Sequence, residues 1–215
     1  VVSPKLPSIY QQIEAVSKYR LPMLYCWRGG LRSQTVAVTL ALAGMKVAVI
    51  EGGYKSYRHE VLRVLTSSYP FELISLFGLT GTGKTKLLQA MKAQGVAGID
   101  LEALARHRGS VFGHVGIPET QTQQRFEALL HQEIEKYRDS PVVFVEGESR
   151  RIGPVGLPEP WMMAMQQGRK IWVKSSLDVR IQRILNEYLK HQTSDQKIVP
   201  LLEEALMSLR RRLGD

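Results

Sequence analysis

Two short stretches of this sequence carry residue types at spacings suited to chemistry on anions. The first is Gly78-Leu79-Thr80-Gly81-Thr82-Gly83-Lys84-Thr85, which satisfies G-x-x-x-x-G-K-[ST] at every defined position. Its glycines let successive backbone N–H groups turn toward one point. The N-terminus of the helix that follows adds partial positive charge at the same point. Lys84 brings a full positive charge to the outer phosphates of a bound chain, and the Thr85 hydroxyl is placed to reach a Mg²⁺ ion. Gly78, Thr80, Gly81, Thr82, Gly83, Lys84 and Thr85 are therefore the expected phosphate-binding residues, with Thr85 the expected metal contact. The pattern implies a diphosphate or a triphosphate without choosing between them. Such loops commonly use an acidic strand end to support the metal. Asp100, Glu146 and Glu148 are candidates, and local sequence singles out none of them.

The second stretch surrounds Cys26, the single cysteine, in Tyr25-Cys26-Trp27-Arg28-Gly29-Gly30-Leu31-Arg32-Ser33. A thiol placed between an apolar strand and a helix N-terminus, beside Arg28 and Arg32, has a lowered pKa and exists largely as thiolate. It is then a nucleophile able to accept sulfur or selenium. Cys26 and Arg32 are the expected catalytic residues. The loop resembles the active loop of rhodanese-type transferases, where a cysteine carries a persulfide. Five residues separate Cys26 from Arg32, and Ser33 follows. That is the spacing of cysteine-dependent phosphatases, whose wider loop cradles a tetrahedral oxyanion. Those enzymes carry His before the Cys, where this chain has Tyr25, and on the residues alone both chemistries stay open.

Alternating strands and helices must position these loops. Ile9, Ile13 and Val16 mark one helical face. A short apolar strand is predicted over residues 23–25, a helix after the cysteine loop through Ala43 with Gly44 as its stop, a buried strand over 46–50 closed by Gly52 and Gly53, and a helix over 57–65. Ser67, Ser68, Tyr69 and Pro70 read as a linker. Beyond it, strands are predicted over 72–77, 96–99, 142–145 and 171–173, with helices over 84–94, 119–137, 177–188 and 201–213. This β-α alternation predicts an α/β fold in two domains, residues 1–68 and 69–215, each with a parallel sheet.

The 215 residues are 44% hydrophobic and 23% charged, the balance of an ordinary globular protein. The longest apolar stretch, residues 35–50, is interrupted by Gly44 and Lys46 and is no membrane span. One cysteine excludes an intrachain disulfide framework, and no charged-then-apolar leader opens the chain, so the cytoplasm is expected. Lys and Arg total 29 against 20 Asp and Glu, a net charge of +9 that attracts polyanions, nucleic acid foremost. The cations cluster at Arg106, His107 and Arg108, at Arg150 and Arg151, and at Arg210, Arg211 and Arg212. The last group reads as a solvated face; the first two lie near the expected chemistry. The chain lacks an initiator Met and stops directly after a helical pattern, as a piece of a longer protein would.

A rhodanese-like cysteine loop followed by a P-loop in one basic chain resembles the tRNA 2-selenouridine synthase family. Further segments carry the resemblance: Gly52-Gly53-Tyr54-Lys55-Ser56-Tyr57-Arg58, Asp100-Leu101-Glu102, His107-Arg108-Gly109-Ser110 and Glu146-Gly147-Glu148-Ser149-Arg150-Arg151-Ile152-Gly153. Compared with that family, the chain lacks the first strands of the rhodanese domain and a C-terminal helical segment. The resemblance implies a partial rhodanese-like domain followed by a P-loop domain, and a transferase acting on the wobble uridine of a tRNA. Geranyl diphosphate and selenophosphate would be co-substrates. The 2-thiouridine would be S-geranylated, then the geranylthio group replaced by selenium. Trp27, Arg28, Arg106, His107, Arg108, Glu148, Arg150 and Arg151 are then candidates for contacting the RNA or the diphosphate, although Trp27, Tyr54, Tyr57 and the methionines also fit as packing residues. Two other classes fit the same motifs: a P-loop ATPase or kinase with a degenerate rhodanese or phosphatase-like cysteine domain, and a non-catalytic RNA-binding protein whose loops only hold anions.

Overall fold

The structure is a computed structural model that describes residues 3–18, 20–108, 120–189 and Met207. The expected helix over 201–213, the arginines at 210–212, Gly109, Ser110 and the expected helix start at 119 lie outside the described residues, Met207 excepted. The chain divides into two compact units, residues 1–63 and 64–215.

In the first unit a 3-10 turn (Ser3–Lys5) leads into α1 (Leu6–Ser17), β1 (Met23–Leu24), α2 (Leu31–Leu42), β2 (Ala48–Val49) and the start of α3 (Gly53–Leu65). β1 and β2 pair in parallel, Met23 with Ala48 and Leu24 with Val49, as the β-α-β reading requires. Helix α2 buries Ser33, Ala37 and Leu40, which fall on one face of a 3.6-residue period. The helix ends where expected, with Gly44 following its C-cap Ala43. Two expectations fail. The strand foreseen over 46–50 is two residues long, and Val49 is 37% exposed. The stripe of Ile9, Ile13 and Val16 does form a helix, yet α1 buries none of its residues. An apolar face becomes core when a second layer covers it, and two short strands provide little to pack against. α3 also begins at Gly53, four residues ahead of its expected start at 57.

The second unit runs β3 (Glu72–Phe77), α4 (Lys84–Ala93), β4 (Gly98–Ile99), α5 (Leu101–Ala105), α6 (Gln123–Lys136), β5 (Val142–Glu146), β6 (Arg151–Ile152), β7 (Val155–Gly156), α7 (Glu159–Gln167), β8 (Lys170–Trp172) and α8 (Leu177–Leu189). Strands β4, β5, β3 and β8 form one sheet in that order, all parallel. The four residues Leu73 to Leu76 of β3 are all buried, as expected of a central strand covered on both faces. Phe126, Leu130 and Ile134 of α6, Leu88 of α4 and Trp161 of α7 complete the core, each at most 2% exposed. Burying a side chain of this size contributes roughly 1.5–3 kcal/mol. Edge strand β8 is exposed along its length. α5, α7 and the antiparallel β6–β7 pair were not foreseen. No helix among the described residues is long and apolar enough to cross a membrane. Because β3, β4 and β5 are parallel, the P-loop, Asp100 and Glu146 all leave the sheet at the carboxyl edge, where open α/β sheets place ligands.

Candidate phosphate site and cysteine loop

The P-loop links buried β3 to α4 and is braced at both ends. Thr82 donates its hydroxyl to the Leu79 carbonyl at 2.8 Å, and Lys84 Nζ donates to the Gly78 carbonyl at 3.0 Å. Gly83 caps α4 with φ 92°, a left-handed conformation that a side chain resists. A Cβ there would also stand 3.0 Å from Nη1 of Arg183. The loop lines a cavity of about 360 Å³, near the lower end of ligand pockets, about 300–1,000 Å³. Thr80, Gly81, Gly83, Lys84 and Thr85 line it, joined by Arg108, Glu102, Glu148 and Arg183. Gly78 and Thr82 are not among its lining residues.

The acidic strand ends divide into different jobs. Asp100 caps α5, accepting from the Ala103 N–H at 2.9 Å, and its other oxygen accepts from Gln89 at 3.1 Å, so its acceptors are spent on structure. Glu146 ends β5 beside β3 and is wholly buried; Oε2 accepts from the Glu102 N–H at 3.3 Å, and Oε1 has no hydrogen-bond partner. Thr85 donates its hydroxyl to Glu102 at 3.2 Å. Burial first, and then the neighbouring carboxylates, push Glu146 up to about 8 and both Glu102 and Glu148 up to about 7. Opposing this, Lys84 lowers Glu102 and Glu148. Carboxylates crowded in this way favour a cation among them. Among the described residues no three His, Cys, Asp or Glu side chains form a metal cluster by themselves. Mg²⁺ in phosphate sites takes one or two protein oxygens and fills its sphere with phosphate and water. Thr85 with the unpartnered Glu146 oxygen fits that demand.

In the other unit, Cys26 lies between β1 and α2. Its Sγ accepts from the Gly30 N–H at 3.2 Å and from the Ser33 hydroxyl at 3.3 Å. The Ser33 bond leads the groups that bring the thiol down to about 6, with backbone N–H groups of the loop adding to it. The helix N-terminus contributes as expected, through the Ser33 N–H, while the arginine half of the expected cause is corrected. Arg28 and Arg32 are exposed, and their charges are not among the groups lowering the thiol. Hydrogen bonds to the thiolate do that work. The loop is held from α3: Tyr54 N–H donates to the Cys26 carbonyl at 2.9 Å and Lys55 N–H to the Trp27 carbonyl at 3.0 Å. Trp27 is 56% exposed and stacks on Tyr54 at 5.3 Å, so one face packs while the rest meets solvent. Met23 and Met163 are exposed too, unlike Met45 and Met165, so the packing reading holds for part of the methionines.

The remaining sequence candidates separate. Arg106 is exposed at the left-handed C-cap of α5. His107 is buried with its ring against Gly153, a packing position. Arg108 lines the phosphate cavity. Arg150 and Arg151 are exposed on or beside the β6–β7 hairpin; Arg150 pairs with Glu159 at 3.1 Å, and Arg151 donates to the Pro154 carbonyl at 3.2 Å. Glu102, Ser33, Ser175 and Arg183 had been given no site role, although Ser33 stood in the cysteine-loop motif and Glu102 in a segment of the family resemblance. An acidic residue in the first turn after a capped strand end was the available signal for Glu102. Arg183 had none, since one basic position on an amphipathic helix looks like a solvated face.

Strand order, loop and acidic edge define a P-loop α/β domain in the second unit. A family-level sequence model described as the tRNA 2-selenouridine synthase AAA domain matches residues 71–215. The chain belongs to the tRNA 2-selenouridine synthase family. Proteins named tRNA 2-selenouridine synthase from Shewanella halifaxensis and Shewanella loihica are 34% and 36% identical to it, each over 89% of this chain and over 55% and 54% of their own lengths. A third, from Bdellovibrio bacteriovorus, is 37% identical over 78% of this chain and 45% of its own length. The chain thus spans about half the length of the curated relatives it matches. A solved structure of a DNA replication initiation factor aligns with a TM-score of 0.32 at 18% identity, over 73% of this chain and 59% of that one, too loosely to carry an argument.

Proposed function

We propose that the protein of which this chain is part converts the wobble 2-thiouridine of a tRNA to 2-selenouridine, in the cytoplasm, through an S-geranylated intermediate. The first 68 residues then form the C-terminal part of a rhodanese-like domain, and residues 69–215 its P-loop partner. The supporting observation is the pairing of a braced phosphate cavity with a thiol held near 6 in one chain of this family. In the first step the thiouridine sulfur attacks the allylic carbon of geranyl diphosphate, and the carbon–oxygen bond breaks. The loop amides and Lys84 take up the charge that develops on the departing diphosphate. Thr85 and Glu146 would hold Mg²⁺, which supplies electrophilic assistance to such a leaving group. In the second step the Cys26 thiolate attacks the phosphorus of selenophosphate, whose tetrahedral anion suits the five-residue spacing between Cys26 and Arg32. The selenide released adds to C2 of the geranylated base, geranylthiolate departs, and water hydrolyses the phosphocysteine to phosphate and free thiol. Trp27, Arg28, Arg106, Arg150 and Arg151 present stacking and charge to the tRNA.

A nucleotide-dependent activity is the second reading, and one observation favours it. Glu146, buried at the end of the strand beside β3, occupies the place where nucleotide-hydrolysing P-loop proteins support their metal. The two readings part in one assay, in which purified full-length protein receives thiolated tRNA, Mg²⁺ and geranyl diphosphate without any nucleotide. Geranylated product is expected. If none forms until ATP or GTP is added, the cavity is a nucleotide site and the prenyl assignment fails.

A further inference from the structure

The P-loop is gripped from outside by α8, an element neither motif announces. Arg180 donates through Nε to the Thr80 carbonyl at 2.9 Å. Arg183 donates through Nη1 to the Thr82 carbonyl at 2.6 Å and to the Ser175 hydroxyl at 2.9 Å. Ile184 closes over Gly81, where an added Cβ would stand 3.0 Å from its side chain. The contacts to the Thr80 and Thr82 carbonyls reach across about a hundred residues of chain and hold the backbone of the P-loop.

We infer that Arg183 contacts the bound phosphate chain directly and does not merely clamp the loop. Its guanidinium lies across Gly83, with Nη1, Cζ and Nε within 3.7 Å of a Cβ built there, and it lines the cavity together with Gly83, Lys84 and Thr85. A phosphate held by the amides of this turn is therefore the group's immediate neighbour. Arginine carries five N–H donors in a planar fork. The Thr82 and Ser175 contacts both use Nη1, and the Nε and Nη2 donors take no part in either. Those two bonds fix the plane of the fork in advance, which lowers the ordering cost of a charged contact to phosphate. Arg183 joins Lys84 and Arg108 as a third cation lining the cavity, beside Glu102 and Glu148.

The inference rests on the reading of the loop as a phosphate site, and holds whether the working ligand is a prenyl diphosphate or a nucleotide. Inorganic pyrophosphate with Mg²⁺ is therefore the probe, titrated calorimetrically into full-length protein. Wild type is expected to bind, Arg183→Ala to bind at least tenfold more weakly, and Arg183→Lys to fall between them, since a lysine restores charge without the fork. A second measurement uses wild type alone and so does not depend on a variant folding. Phenylglyoxal modification, mapped by peptide mass spectrometry, should slow at Arg183 when pyrophosphate is present. Equal affinity of wild type and Arg183→Ala, or unaltered modification of Arg183, overturns the contact while leaving the phosphate site standing. Failure of wild type to bind pyrophosphate overturns both.

Discussion

The Ser33 hydroxyl and the Gly30 amide both reach the Cys26 sulfur, and hydrogen bonds of this kind favour a thiolate over a thiol. With the group lowered to about 6, thiolate is present above that pH and is lost as pH falls through it. Iodoacetamide alkylation of the native protein should therefore rise with pH to a plateau, with its midpoint near 6. Ser33→Ala should move the midpoint upward, toward the free-cysteine value near 8.5. An unmoved midpoint would assign the lowering to the backbone N–H groups of the loop and not to the Ser33 hydroxyl. Removing the nucleophile is a test of a different kind. Cys26→Ala should stop selenium incorporation and leave geranylation largely intact, so nucleoside mass spectrometry should show geranylthiouridine accumulating. Loss of both products from a folded variant would refute that division of labour.

At the scale of elements, each functional loop is shaped by a second element that is remote in sequence or follows a turn. The N-terminus of α3 holds the cysteine loop through the amides of Tyr54 and Lys55, which brings Gly53 against it. Gly53 has φ 61°, and a Cβ there would collide with the Cys26 carbonyl oxygen and the Gly29 amide nitrogen. Gly53→Ala should therefore destabilise the protein by about 1–3 kcal/mol from the backbone conformation alone. Because the collision falls on the loop that sets the thiol, the variant should also raise the alkylation midpoint. Denaturant unfolding and the alkylation profile together check this. Unfolding at the wild-type midpoint would mean that the loop yields without cost.

Across the whole molecule the excess of positive charge, +9, sets the expectation of a polyanionic partner. Arg150 and Arg151 are exposed, and the single ion pair of Arg150 with Glu159 lies in solvent, where such pairs contribute little. Both guanidinium groups are thus available to phosphates. The logarithm of tRNA affinity should fall linearly with the logarithm of salt concentration, by a slope of about −0.7 to −0.9 per phosphate contact. Replacing both arginines with Ala should flatten that slope by roughly one to two. Filter binding across a salt series reads it directly, and an unchanged slope removes the hairpin from the RNA surface.

The sequence by itself determined what depends on near neighbours. The P-loop, its strand and its helix were legible because eight consecutive residues supply both the turn and the charge. The α/β alternation was legible because β3 is buried on both faces and reads as a mostly apolar run, Leu73, Ile74, Leu76 and Phe77 around a single Ser75. The cysteine loop was visible as a motif, and its helix N-terminus does lower the thiol through backbone N–H groups, yet the two arginines that stood out in the sequence add no charge contribution and the Ser33 hydroxyl makes the leading contact. Only the tertiary structure separated the two acidic strand ends. Asp100 and Glu146 both end strands, yet Asp100 spends its oxygens capping α5 and holding Gln89, while Glu146 keeps one oxygen buried and unpartnered. It also brought Arg183 to the P-loop. The contact joins residues 82 and 183, and no periodicity within α8 distinguishes an arginine turned to a distant loop from one turned to water. Local pattern records which face of an element is apolar; whether that face is buried, as in α6 and not in α1, and what it meets are decided by the tertiary packing.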